Sequence, residues 1–209
     1  VKDFSRGVLL SRGIALAERF CVKNEWPAPL IKVVGDGEPW RIRACAYYRP
    51  NPHRIVINPP ACGKVGRGGR SWSFPGYIID RTPYGVLQHE LGHFVDYHLS
   101  TLAQTLTQPV LSRHAWQGFI SRKCHETTQE DPLSGYAPDD GEWWAEMMRL
   151  FITNPDLFKR IRPKTYAYIV ELGVQPVESG TWRTVLRFAP RRTREMAARR
   201  IKEAKGVAA

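Results

Sequence analysis

What this chain lacks narrows it first. Its 209 residues contain no apolar run near the roughly 20 residues that a membrane-spanning helix needs. No basic-then-apolar leader opens the sequence, so no export signal is expected. Its cysteines, Cys21, Cys45, Cys62 and Cys124, are scattered without C-x-x-C spacing. That argues against a disulfide framework and against a cysteine-based zinc site. These absences lead to the expectation of a cytoplasmic protein with free thiols and no membrane span. Neither a Walker pattern nor an internal repeat is present, which removes the P-loop and solenoid classes. Acidic residues are scarce: 20 against 31 basic ones, a net charge of +11. Such an imbalance favours an acidic partner, whether nucleic acid, an anionic surface or an acidic protein.

What is present suffices for one full core, since 43% of the chain is hydrophobic. A single domain over residues 1–190 is expected, followed by a basic tail or helix over residues 191–209. Residues 3–22 carry Leu9, Leu10, Ala15, Leu16 and Phe20 at helical spacing. Residues 30–34 form a short apolar run before the turn signal Gly35-Asp36-Gly37, and residues 40–48 alternate, with Trp40, Ile42, Ala44, Ala46 and Tyr48 facing one way. Ile55-Val56-Ile57, bounded by Pro52 and Pro59, is a third strand. The sheet is expected to be small, antiparallel or mixed. The C-terminal half is mainly helical: part of residues 100–129, interrupted at Pro109, then a helix over about 141–153 capped by Asp139 or Asp140 and closed by Asn154-Pro155, then residues 155–161 and 164–172. The fold class is therefore α+β. Between sheet and main helix, residues 61–76 are rich in glycine and base. They could cradle phosphate, with Trp72 stacking on a nucleobase, but a flexible loop is the plainer reading.

The most informative stretch is Val86-Leu87-Gln88-His89-Glu90-Leu91-Gly92-His93-Phe94-Val95-Asp96, which contains H-E-x-x-H. Thr82 suits an N-cap and Pro83 the first helical position. Leu87, Leu91, Phe94 and Val95 then recur as a buried face. Residues four apart on a helix differ in heading by about 40°, so His89 and His93 leave one face and can share a tetrahedral Zn²⁺. Glu90 stands beside them as the candidate general base. A catalytic zinc needs a third protein ligand. His98, five residues past His93, is turned by about 140° and cannot supply it. The longer H-x-x-G-x-x-H continuation fails too, because Asp96 and Leu99 occupy its glycine and histidine positions. Glu142 is the better candidate, in Glu142-Trp143-Trp144-Ala145-Glu146. Its partner Glu146, one turn on, could hold a ligating histidine by its second ring nitrogen. Asp96 is a further candidate for that supporting role. The competing account of Glu142 is an acidic helix start favoured by the macrodipole alone.

The H-E-x-x-H segment, then Gly135-Tyr136, then Glu142-Trp143-Trp144-Ala145-Glu146-Met147-Met148-Arg149-Leu150, then Pro163-Lys164-Thr165-Tyr166-Ala167-Tyr168-Ile169 together resemble the catalytic domain of the anthrax lethal factor-like metallopeptidases. These are gluzincins with an H-E-x-x-H helix and an E-aromatic-aromatic-A-E helix. The likeness covers about residues 75–172 and is strongest at the two helices. It implies a zincin-like fold, one Zn²⁺ per chain held by His89, His93 and Glu142, and Glu90 as general base. It also implies that Tyr136 stabilises the oxyanion or protonates the leaving amine, although its spacing to Glu142 is about one residue shorter here. An ordinary loop tyrosine is the other reading of Tyr136. The implied activity is zinc-dependent endopeptidase hydrolysis of a protein or peptide substrate. The substrate would lie extended along an edge strand ahead of the active helix, either residues 40–48 or Ile55-Val56-Ile57.

The tail supports a second class of function. Residues 191–205 hold seven bases, Arg191, Arg192, Arg194, Arg199, Arg200, Lys202 and Lys205, against Glu195 and Glu203. A helix of this kind could bind nucleic acid or another polyanion, or could simply be a solvated terminus. The alternative function is accordingly a non-catalytic binding protein, associated with nucleic acid or a particle, on a zincin fold.

Overall fold

A computed structural model describes residues 6–34, 44–63, 80–107 and 118–177, with Glu195, Arg199 and Lys202 as single helical positions. Helix α1 (Arg6–Lys23) buries Leu9, Leu10, Leu16 and Phe20 as the spacing predicts, with Ala17 in the stripe where Ala15 was expected and Ala15 exposed. It ends at Asn24, whose side chain exchanges hydrogen bonds with the backbone of Gln175 and so ties α1 to the far end of the described chain.

Strands β1 (Leu30–Val33), β2 (Ala46–Pro50) and β3 (His53–Ile57) form a sheet of order β1-β3-β2. β1 runs parallel to β3, with Leu30 opposite Arg54, and β2 runs antiparallel to it, with Ala46 opposite Ile57. The sheet is therefore mixed. The central strand is β3, where Ile55, Val56 and Ile57 are all buried. Residues 35–43 lie outside the described residues, and with them Trp40 and Ile42 of the alternation expected over 40–48. The strand that forms starts later and runs on to Pro50, because the tight β2–β3 connection fixes the register.

Helix α2 (Pro83–Thr107) is the spine of the fold. Thr82 precedes it as expected, its hydroxyl accepting from Gly85 N–H at 3.4 Å. α1 and β2 pack on α2, as does α4 (Asp140–Thr153). The α2–α4 approach is close enough to require glycine. A Cβ on Gly92 would come within 2.9 Å of Ala145 Cα and 3.0 Å of Met148 Cβ. Trp144, fully buried, donates its indole N–H to Gly92 O at 3.0 Å and locks the register of the two helices.

Helix α3 (Phe119–Thr128) precedes α4, and α5 (Pro155–Ile161) and α6 (Pro163–Glu171) follow it. Of the two candidate caps for α4, Asp139 takes the role, its carboxylate accepting from Glu142 N–H at 2.9 Å. Asn154 closes α4 and caps α5. Gly173, at φ +83°, sits in the left-handed region just past α6. Among the described residues there are thus six α-helices and one three-stranded sheet, an α+β architecture. None of those helices is long and apolar enough to cross a membrane. All four cysteines carry free thiols. Pro109, the basic part of the glycine-rich loop and tail residues Arg191, Arg192, Arg194 and Arg200 lie outside the described residues.

Candidate metal centre

The close α2–α4 contact brings one turn of each helix face to face. His89 and His93 point from α2 toward Glu142 on the first turn of α4, and one ligand atom from each falls within a 4.8 Å set. Glu142 Oε2 lies 3.0 Å from His89 Nε2 and 3.8 Å from His93 Nε2. That oxygen is buried yet has no hydrogen bond of acceptable geometry. A buried carboxylate oxygen so placed between two imidazole nitrogens is the expected disposition of donors that share a cation. Two nitrogens and one oxygen also match the chemistry of a catalytic zinc site. His98, as its heading requires, turns elsewhere, stacking on Phe94 and meeting Trp26 at a tilt.

The support around His89 is built into α4. Glu146 Oε1 lies 2.9 Å from His89 Nδ1, so the second ring nitrogen is held and Nε2 faces Glu142. Glu146 is itself gripped by Arg149, whose Nε reaches Oε1 at 3.1 Å and whose Nη2 reaches Oε2 at 2.9 Å. Both side chains are almost wholly buried, 2% and 1% exposed, so each needs the other's charge. Asp96 does not share the supporting role. Its carboxylate accepts from Ser121 N–H at 3.0 Å and from Ser100 Oγ at 3.2 Å, which fastens α2 to the start of α3. Three residues past His93, Asp96 bonds to α3 rather than to His89 or His93.

The charges are strongly coupled. Burial opposes a charge on His89, but the Glu142 carboxylate beside its Nε2 and the Glu146 carboxylate at its Nδ1 outweigh it and push the ring up to about 10. His93 is pushed down to about 4 by burial and by the neighbouring charge of His89. Burial would raise Glu146, but Arg149 and His89 hold it at about 2. Glu142, opposed by burial in the same way, is held below its ordinary value by His89 and His93. Glu90, 8% exposed, is pushed up to about 7, mainly by burial, while the Tyr48 backbone N–H favours its ionised form.

Two cavities meet at these residues. One, of about 230 Å³, is lined by Cys45, Val86 and Arg81 among others. The second, about 440 Å³ and more open, is lined by Tyr47, Tyr97, His93 and Glu142 among others. Ala46, His89, Glu90 and Tyr136 belong to both. Cys45 O accepts from Asn58 N–H at 2.8 Å, so alternate residues Cys45, Tyr47 and Arg49 pair with β3. The main-chain groups of Ala46 and Tyr48 consequently face outward over the site. Of the two strands considered for an edge, β2 is the one at the edge among the described residues, and β3 is interior.

Tyr136 lies on the loop between α3 and α4 and is 43% exposed, its ring centroid 5.8 Å from that of His89. Burial and the carboxylates of Glu142 and Glu90 raise its pKa, so its hydroxyl keeps its proton at neutral pH. Two residues in this network were not foreseen. Arg149 carried a readable signal, a lone base on a helix face otherwise apolar. Ser134, which donates to Glu146 Oε2 at 3.0 Å, carried none. When the chain is compared with known proteins, no protein-family model matches it and no curated protein is significantly similar.

Proposed function

We propose that this chain is a zinc metalloendopeptidase with a zincin-like fold, of the gluzincin type its two helices resemble. The observation that carries the reading is the convergence of His89, His93 and Glu142 beside a buried Glu90. Zinc held by those three side chains would supply Lewis acidity, activating a water and polarising a carbonyl.

The remaining roles belong to the chain's own groups. Glu90 takes the proton of the attacking water, and a carboxylate raised toward neutrality suits that task. The Tyr136 hydroxyl donates a hydrogen bond to the carbonyl oxygen as charge develops there, or passes its proton to the leaving amine. The outward edge of β2 at Ala46 pairs with an extended peptide, orienting one bond over Glu90, which the Tyr48 N–H holds. The two cavities that share Ala46, His89, Glu90 and Tyr136 leave room for chain beyond the residues at that bond, which favours an internal cleavage.

Metal content and hydrolysis of a peptide library, measured on four proteins, test this. Unmodified protein and Glu90→Gln should each hold one zinc, while His89→Ala and Glu142→Ala should lose it. Only the unmodified protein should hydrolyse peptides, since loss of a general base costs about 10²–10⁴-fold. Stoichiometric zinc in Glu142→Ala would place the third ligand elsewhere, and undiminished hydrolysis by Glu90→Gln would sink the mechanism. Polyanion binding by Arg191, Arg192, Arg194, Arg199, Arg200 and Lys202 is a separate proposal that rests on sequence charge alone. Deleting residues 191–209 should then remove salt-sensitive retention on nucleic acid and leave hydrolysis unchanged.

A further inference from the structure

The Glu146 carboxylate has a partner on every side. Oε1 meets His89 Nδ1 and Arg149 Nε, while Oε2 meets Arg149 Nη2 and Ser134 Oγ. An ionised carboxylate offers about four acceptor sites, and all four are taken. Ser134 adds a link that runs away from the helices. Its hydroxyl accepts from Tyr136 N–H at 3.1 Å. A backbone N–H can only donate and a carboxylate can only accept, so the direction is fixed: Tyr136 N–H to Ser134 Oγ, and Ser134 O–H to Glu146.

This link matters because packing does little to hold Tyr136. The residue is 43% exposed, and a Cβ on its neighbour Gly135 would meet nothing within 4 Å. Ser134, by contrast, is 7% exposed. We propose that Ser134 is a positioning residue, which anchors the Tyr136 backbone to the carboxylate that orients His89. The zinc ligand and the oxyanion tyrosine are then held by one buried group. This inference rests on the peptidase reading for its kinetic consequence, but its structural content stands apart from it.

The two parts are tested separately. Hydrogen exchange of the zinc-loaded protein reads the anchor directly: the Tyr136 amide should be protected in the unmodified protein and exchange at least tenfold faster in Ser134→Ala. In peptide hydrolysis, Ser134→Ala should lower kcat about tenfold or more, with KM and zinc affinity within about threefold, because His89 and Arg149 still hold Glu146. Ser134→Thr, which keeps a hydroxyl, should restore protection and kcat. Adding Ser134→Ala to Tyr136→Phe should cost little beyond Tyr136→Phe alone, since both act through one hydroxyl. An unchanged Tyr136 amide in Ser134→Ala overturns the anchor. Loss of zinc in Ser134→Ala, or multiplicative losses in the double variant, would instead assign Ser134 to ligand support. If no variant and no unmodified protein hydrolyses peptide while the amide still responds, the peptidase reading fails and the anchor survives.

Discussion

The α2–α4 helix pair and the loop between α3 and α4 hold their functional side chains by different physics. On the helices, position follows from period and packing. His89 and His93 share a face because 3.6 residues make a turn, and Glu142 meets them because Gly92 lets α4 approach to contact. On the loop, Tyr136 has no period and little packing, and its place depends on a hydrogen bond to Ser134. Helical ligands should therefore fail only when buried charge or packing is disturbed. The loop residue should fail without any loss of fold.

The largest effect expected from breaking that contrast is on the helical side. Glu146→Ala leaves Arg149 buried without its carboxylate and frees the His89 ring. Losing one partner of a buried pair costs about 3–5 kcal/mol, and losing a ligand's supporting acceptor weakens metal affinity about 10–100-fold. Chemical denaturation and chelator competition should show both losses together. Unchanged stability would mean that Arg149 finds another acceptor, and the helical site would be less determined than its geometry suggests.

On the loop side, Tyr136→Phe should lower kcat about 100-fold, the usual cost of removing one oxyanion donor. Stability, zinc affinity and KM should hardly move, because the ring is half exposed and the hydroxyl has no structural partner in the described contacts. A fully active Tyr136→Phe protein would return Tyr136 to an ordinary surface role.

The same contrast decides what could be read in advance. His89, His93, Glu142 and Glu146 were legible because a helix converts spacing into facing, and spacing is written in sequence. The strand at Ile55-Val56-Ile57 was legible as an apolar run between prolines, but its central place was not, since it was equally a candidate for the edge. The start of β2 was not, since alternation over residues 40–48 says nothing about where a hairpin sets the register. Asp96 was misassigned because a carboxylate near a metal motif can equally fasten a neighbouring helix, and only the position of Ser121 on α3 decides between these. Ser134 left no trace at all, because a loop serine has no period to betray its partner.

A smaller effect, on packing alone, is expected at the point where the helices touch. Gly92→Ala puts a methyl 2.9 Å from Ala145 Cα, a backbone atom that cannot turn aside. Overpacking of this kind costs about 1–3 kcal/mol. The helices should separate by a few tenths of an ångström, with zinc affinity reduced alongside the melting temperature. If stability falls but zinc affinity does not, the ligand set tolerates helix displacement and the close contact serves the core only.

The smallest step is a matter of protons, and its sign follows from the two histidines. A ligating imidazole must be neutral on the nitrogen it offers. In the metal-free protein His93, pushed down to about 4, is already neutral at pH 7. His89, pushed up to about 10 because two carboxylates outweigh its burial, is protonated there. Glu142, held below its ordinary value, is ionised and releases nothing. Zinc uptake between about pH 6 and 8 should therefore expel close to one proton per metal from His89, with a further fraction at the acid end of that range from Glu90, pushed up to about 7. Zinc affinity should rise about tenfold per pH unit over that range and fall equally as pH drops, a change of about 1.4 kcal/mol per unit. Chelator competition at pH 6, 7 and 8 measures the slope, and calorimetry in buffers of different ionisation enthalpy counts the proton. Glu146→Gln should reduce that count by removing one of the two charges that keep His89 protonated. No proton released by the unmodified protein at pH 7 would mean that His89 is neutral before metal arrives, and that Glu146 orients the ring without charging it.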